Sequence, residues 1–411
     1  MANDPPPQLN LPPEAQWGPG FSVEKATDAY VATIPAAERE KSDAYFEGGY
    51  WIGAWSTVIV VLLCGLLLRV RFAARLRDWV AARGRGPFLQ SFLVAIGFLL
   101  ALTILTMPWL LYTQYFREHA YGLSNYTMGR FLGETAINVA ISTAFIGFAI
   151  AGIYALVRRV GERWIWWGTG ASALFILFVI MVQPVFVAPL FNDYKPLPAG
   201  EVRESIIALA RASEIPADNV YWFDASKQTK EISANVSGIA GTTRISINDN
   251  LLNGTTLPEL RAAMGHEMGH YVLHHGMWLT LGFTLTFGIA YWVINRAFGR
   301  FQRRHGERWG VRQLADPAGL PLAFAIFTVV LYLLTPVTNS FVRTAENQAD
   351  AYGLDVAREP YGFASVAMRL ANYRKVEPSA LEEFIFFDHP SGRARVERAM
   401  RWLADHPPQS Q

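Results

Sequence analysis

Residues 256–294 read TLPELRAAMGHEMGHYVLHHGMWLTLGFTLTFGIAYWVI, a metal-binding pattern followed at once by an apolar run. The pattern is His266-Glu267-Met268-Gly269-His270, or H-E-x-x-H. Residues four apart share one face of a helix, so both imidazoles can reach the same ion. Zinc takes such a pair together with a third protein ligand and keeps an open position for water. Glu267, beside the first ligand, can take a proton from that water, as the general base of a metalloprotease does. A helix is legible around the motif. Leu260, Met264, Met268 and Val272 recur at helical spacing, Thr256 is an N-cap followed by Pro258 and Glu259, and Gly276 is a stop. Gly269 is costly inside a helix; a close backbone neighbour or the metal itself would account for it. His274 and His275 read as helix-terminal or membrane-interface residues.

The apolar run after the motif is one of several. The 411 residues are 52% hydrophobic and 17% charged, whereas soluble domains carry about 25% charged residues. Six stretches, 51–68, 88–112, 136–157, 165–187, 277–294 and 320–338, each approach the ~20 residues needed to cross a bilayer. Trp51, Trp55, Trp109, Tyr112, Trp164, Trp166, Trp167, Trp278 and Trp292 fall at or near their ends, as an aromatic belt does. The spans hold almost no ionisable residues of the kind that couple ions, so a transporter is not supported. A net charge of +2 invites no nucleic-acid partner. Cys64 is the only cysteine, so there is neither a disulfide framework nor a cysteine-rich metal site.

The start, MANDPPPQLNLPPEAQWGPGF, is Pro-rich and lacks the basic-then-apolar order of a signal peptide. It reads as a disordered or loosely draped tail. The chain then divides into a Pro-rich acidic tail (1–50), four spans (51–187), a soluble α+β insert ending in the metal helix (188–276), two spans (277–340) and a helical C-terminal region (341–411). In the insert, GEVRESIIALARASEIP is an amphipathic helix, and NVYWFDAS, ISANVSGIAG and TRISIND are three short strands. The expected fold class is mainly α: a multi-pass membrane helical bundle of about six spans with a small α+β metalloprotease insert. Arginine outnumbers lysine 30 to 6, a bias of GC-rich genomes that points to a bacterial source and hence to the inner membrane.

The two histidines need a third ligand. After the sixth span come Glu346 and Asp350, four apart on one helix face. Glu346 can bind zinc, and Asp350 can accept the outer N–H of a ligating histidine. Asp388-His389-Pro390-Ser391-Gly392-Arg393-Ala394-Arg395 adds a histidine and two arginines. Peptide hydrolysis builds negative charge on a tetrahedral oxygen, and a His or Arg aimed at it lowers the barrier.

GHEMGH, then ENQADA, then DHPS followed by arginine resembles the CAAX prenyl protease type 1 family of integral-membrane zinc metalloproteases. VFVAPLFNDYKPLPAGEVR and REHAYGLSNYTMGRFLGE resemble the same family, so the likeness covers most of the chain from about residue 110 onward. The resemblance implies one Zn²⁺ on His266, His270 and Glu346, Glu267 as general base, and Asp350 bonded to a ligating histidine. It implies His389 and Arg395 as transition-state donors, with Arg395 fitting the family spacing better than Arg393. It also implies that Asn235, in SANVSG, presents a strand edge to substrate. Eukaryotic members are similar but have seven spans, one more than is read here. A bacterial chain would not meet prenylated CAAX proteins, so the family name is not taken as the substrate.

The function expected is a zinc-dependent membrane endopeptidase acting on extended or membrane-associated peptides. The alternative is a catalytically silent multi-pass scaffold or binding protein that keeps a zinc site; Glu267 argues against it, since a structural zinc site needs no base. For orientation two arguments oppose each other. Arg69, Arg71, Arg75, Arg77, Arg83 and Arg85 follow the first span, Arg158, Arg159 and Arg163 the third, and Arg296, Arg300, Arg303, Arg304, Arg308 and Arg312 the fifth. Positive-inside bias puts those loops in the cytoplasm and the metal helix outside. The resemblance implies a catalytic domain facing the cytosol; the charge count is favoured here.

Overall fold

The structure, a computed structural model, describes residues 7–216, 220–238 and 243–408. The first six residues of the tail, Asn219 of the first expected strand, Ile239–Gly241 of the second and the last three residues of the chain lie outside the described residues. In chain order the helices and strands are α1 (Val23–Ala32), α2 (Ala36–Arg69), α3 (Phe72–Ala81), α4 (Pro87–Leu110), α5 (Arg117–Tyr121), α6 (Met128–Val160), α7 (Trp164–Val182), β1 (Tyr194–Pro196), α8 (Glu201–Ala212), β2 (Val220–Phe223), β3 (Ala234–Ser237), β4 (Arg244–Asn248), α9 (Asp249–Gly254), α10 (Leu257–Val272), α11 (His275–Trp309), α12 (Leu320–Leu333), α13 (Thr335–Ala357), α14 (Pro360–Arg369), α15 (Ala380–Phe386) and α16 (Gly392–Asp405).

Among the described residues, four helical stretches are long and apolar enough to cross a bilayer: Ala36–Arg69, Pro87–Tyr121, Met128–Leu190 and His275–Trp309. A fifth candidate is the pair Pro317–Leu333 and Thr335–Ala357, bent by 53°. Met128–Leu190 has 63 residues, about three times what one crossing needs. It breaks at Gly161, whose backbone (φ 56, ψ −135) no helix can hold, so α6 and α7 carry two of the expected spans. The sixth expected span, 320–338, is not straight; α12 ends at Leu333 and α13 resumes after the bend. The six helices close a ring, each packing on the next in the order α2, α4, α6, α7, α11, α12 and back to α2. Large apolar side chains such as Trp51, Leu62, Ile104, Phe148, Trp166 and Leu174 stay exposed on them, as side chains facing lipid do. The fold is therefore a multi-pass helical membrane bundle with a small sheet, as the sequence predicts.

At one end of the ring, the loops after the first and fifth spans meet. α3 packs on the turn Pro317–Gly319. Arg77 pairs there with buried Asp316 and donates to the Gly310 carbonyl at 3.0 Å. These Arg-rich loops thus share a face opposite the metal helix.

The insert holds one more strand than expected. β1, β2, β4 and β3 lie side by side in that order, with β2 and β4 parallel and the outer pairs antiparallel. α8 and α10 cover the sheet. Leu260, Met264 and Met268 of α10 bury against Ile245 and Ile247 of β4 and Ile206 and Leu209 of α8.

The N-terminal segment departs from the expectation of a loose tail. Residues 36–50 are the first turns of α2, which runs unbroken into the first span. Before it, α1 docks on α16 and α14, with Ala15, Ala26, Tyr30 and Val31 buried against Phe363, Val396, Ala399 and Met400. The Trp17 N–H donates to the Tyr361 hydroxyl at 2.9 Å, and Arg393 pairs with Asp28 at 2.6 Å. Proline content suggested disorder, but apolar residues at helical spacing after residue 22 had a surface to cover, and burial outweighs the ordering cost.

Candidate metal centre and active site

α10 is capped as its sequence predicts. Glu259 accepts from the Thr256 N–H at 2.7 Å, and Thr256 accepts from the Glu259 N–H, a reciprocal capping box. The same buried carboxylate accepts from the Ser365 hydroxyl and Arg369 Nε, each at 2.6 Å, fastening the start of the helix to α14. Gly269 is explained by a backbone neighbour. A Cβ there would stand 3.0 Å from Ala349 Cα, because α13 crosses α10 in contact. That crossing brings Glu346 and Asp350 to the two histidines.

His266 Nδ1 lies 2.8 Å from Asp350 Oδ1. Its Nε2 faces inward, 3.1 Å from His270 Nε2 and 3.3 Å from Glu346 Oε2. His270 Nε2 is 3.4 Å from Glu346 Oε1. The donor atoms of His266, His270 and Glu346 all lie within 4.8 Å of one another. Glu346 Oε2 is buried without a hydrogen-bond partner. Two imidazole nitrogens and a carboxylate turned on one point, with an orphaned oxygen, make a pocket that favours positive charge, and an N₂O donor set fits zinc. His266 reports the same preference. Burial disfavours its imidazolium, but the hydrogen bond to Asp350 and the nearby Glu346 carboxylate outweigh that and lift its pKa to about 9. Protons and a divalent cation would compete for that nitrogen.

Glu267, half-buried on the same helix, has its pKa raised by burial, which outweighs the neighbouring histidines. A carboxylate shifted upward is a better general base near neutral pH.

The Asp388–Arg395 segment closes over this cluster. Arg343 of α13 donates to the Glu383 carbonyl at 2.9 Å and so ties down α15 and the loop that follows. His389 Nδ1 is 2.8 Å from Asp388 Oδ1, and its Nε2 is 3.3 Å from Glu346 Oε2. Ser391 caps α16 by accepting from the Ala394 N–H. Arg395 then lies buried against Asp350, donating from Nε at 3.1 Å and from Nη2 at 2.5 Å. Both groups face the Asp350 carboxylate, and Nη2 also lies 3.5 Å from His266 Nδ1, so Arg395 meets the centre mainly through Asp350. Asn235 sits on β3 at the edge of the sheet, its side chain accepting from Ser237 Oγ at 3.4 Å. No described hydrogen bond joins it to the His–Glu cluster.

Two residues of the centre escaped the sequence reading. His275 is 2% exposed, with Nδ1 3.0 Å from His270 Nδ1 and Nε2 3.0 Å from Gln348 Oε1. The available signal was a further histidine five positions beyond the motif, read from sequence as a helix-terminal or membrane-interface residue.

The chain matches two family patterns that follow one another. Residues 23–193 match the one described as CAAX prenyl protease N-terminal, five membrane helices, and residues 196–408 match peptidase family M48. It is 28% identical over 349 residues to the uncharacterized metalloprotease YhfN of Bacillus subtilis, covering 84% of this chain and 80% of that protein. It is 24% identical over 305 residues to the probable CAAX prenyl protease 1 of Schizosaccharomyces pombe, covering 73% of this chain and 64% of that protein. The crystal structure of S. mikatae Ste24p superposes with a TM-score of 0.74 at 19% identity, over 90% of this chain and 89% of that one, a likeness of fold.

Proposed function

We propose, from the premise that the chain belongs to peptidase family M48 and is an integral-membrane metalloendopeptidase, that its metal is one zinc ion held by His266, His270 and Glu346 and that Glu267 is its general base. The observation that carries this reading is the convergence of Glu346 on both imidazole Nε2 atoms, at 3.3 and 3.4 Å. When bound, zinc supplies a Lewis acid that polarises the scissile carbonyl and acidifies water.

The chain's own residues do the rest. An extended substrate adds to the free edge of β3 by backbone hydrogen bonding, with Asn235 contacting it there. Glu267 takes the proton from the attacking water and passes it to the leaving amine. His389 turns Nε2 toward the oxygen that becomes negative, as a donor to it, while Asp388 holds the other side of the ring. Asp350 fixes His266, and Arg395 fixes Asp350 while its charge adds to the field at that oxygen.

For the substrate we propose membrane-associated proteins or peptides, and for the location a bacterial inner membrane. CAAX prenyl substrates belong to the relatives' names. Metal analysis tests the ligand set: purified protein should carry about one zinc per chain, and Glu346→Ala should lose it. Undiminished zinc affinity in Glu346→Ala would refute the assignment.

A further inference from the structure

His275 is the first residue of α11, the membrane helix that follows the metal helix. On an unbroken helix a residue five positions beyond His270 would be turned away from it by about 140°. The chain instead leaves α10 at Leu273, and His274 adopts a left-handed backbone (φ 54, ψ 36) before helix resumes at His275. That conformation is costly for a residue with a Cβ. Its effect is to turn the His275 ring back, with Nδ1 3.0 Å from His270 Nδ1.

The proton order along this contact follows from the donors available. The Gln348 amide presents its oxygen to His275 Nε2 at 3.0 Å, and an oxygen can only accept. The His275 proton therefore sits on Nε2, leaving a lone pair on Nδ1. That lone pair accepts from His270 Nδ1–H, which leaves His270 Nε2 unprotonated and directed at His266 and Glu346. We propose that His275 is a positioning residue for the metal centre: together with Gln348 it sets the tautomer and ring orientation of His270, as Asp350 does for His266. The two ligating histidines are thus held by different chemistry, a carboxylate behind one and a neutral imidazole–amide pair behind the other. The centre is thereby tied to the first turn of a membrane helix.

This inference rests on the reading of His266, His270 and Glu346 as metal ligands, and the experiment separates the two. Zn²⁺ affinity is measured by competition with a chelator, and the visible absorption of the Co²⁺-substituted site is recorded, on the full chain in detergent. The variants are His275→Leu, His275→Asn and, as control, His266→Ala. Loss of the group behind a ligating histidine costs 10–100-fold in metal affinity, roughly. His275→Leu should show that loss and a changed Co²⁺ spectrum. His275→Asn, whose side-chain oxygen can replace the Nδ1 acceptor, should recover most of both. If wild type and His266→Ala bind zinc equally, the ligand reading itself falls. If His266→Ala loses zinc but His275→Leu keeps wild-type affinity and spectrum, only the role of His275 is overturned. Should His275→Leu fail to fold, Gln348→Met, which removes the acceptor behind His275, should weaken zinc binding several-fold, and unchanged affinity there overturns the proposal equally.

Discussion

Gly353 of α13 lies against the backbone of His266: a Cβ on Gly353 would stand 2.7 Å from the His266 nitrogen and 3.0 Å from its Cα. With Gly269 meeting Ala349 one turn further on, the two helices cross backbone to backbone. A carboxylate pair four apart on one helix then reaches a histidine pair four apart on the other without long side chains bridging a gap. The close crossing is a condition for the proposed metal centre, and glycine is the residue that permits it.

Gly353→Ala should therefore do more than soften the fold. Backbone atoms cannot rotate aside as side chains can, so α13 must move away and carry Glu346 and Asp350 with it. Overpacking of this kind costs about 1–3 kcal/mol. The expected outcome is a lower unfolding temperature together with reduced zinc per chain, checked by thermal denaturation and metal analysis. A variant with wild-type values of both would show that the crossing tolerates the methyl group.

Glu259 gives a pH signature. Burial by itself would raise its pKa, but hydrogen bonds from Arg369, Ser365 and the Thr256 N–H outweigh burial and hold the carboxyl below its ordinary value. A depressed folded-state pKa stabilises the protein fully above the unfolded value of about 4.3 and is lost as pH falls through the folded value. Glu259→Gln should thus be less stable than wild type at neutral pH, with the gap narrowing as pH drops below about 4.3. Unfolding temperatures measured in parallel across that range check this; a gap that stays constant into strong acid contradicts it.

His389 and Arg395 should fail in different ways. His389→Phe should lower kcat by roughly 10²–10³-fold, as loss of one oxyanion donor does, and leave zinc affinity intact. Arg395→Ala frees Asp350 and through it His266, so zinc affinity should fall along with kcat. Steady-state kinetics with a chelator titration distinguish them. If Arg395→Ala lowers kcat at full zinc affinity, the arginine acts on the substrate directly.

Orientation follows from the paired loops. Arg77 joins the Arg-rich loop after the first span to Asp316 beside the Arg-rich loop after the fifth, on the face away from the metal helix. Positive-inside bias puts that face in the cytoplasm. An alkaline phosphatase fused after Gln411 should be active and a GFP fused there dark; a fluorescent GFP fusion with inactive phosphatase reverses the orientation.

Much of this molecule was legible in its residues because the signals were local. Apolar runs of membrane length mark the helices of the ring, and H-E-x-x-H with Glu346 and Asp350 marks a site whose parts each need only helical spacing. Where reading failed, the cause was non-local. The segment from Leu11 to Ile34 looked like a loose tail because its partners, Phe363 and Met400 among them, lie more than three hundred residues away in sequence. β1 is three residues long and exists because β2 offers it an edge. His275 was set aside because the left-handed turn at His274 carries no glycine to announce it.

The most direct measurement is peptide cleavage by Glu267→Gln in parallel with its zinc content. The glutamine keeps the shape of the side chain and removes the base. The account predicts about one zinc per chain, as in wild type, with hydrolysis of a membrane-associated peptide abolished. Cleavage at the wild-type rate by a zinc-loaded Glu267→Gln protein would contradict it.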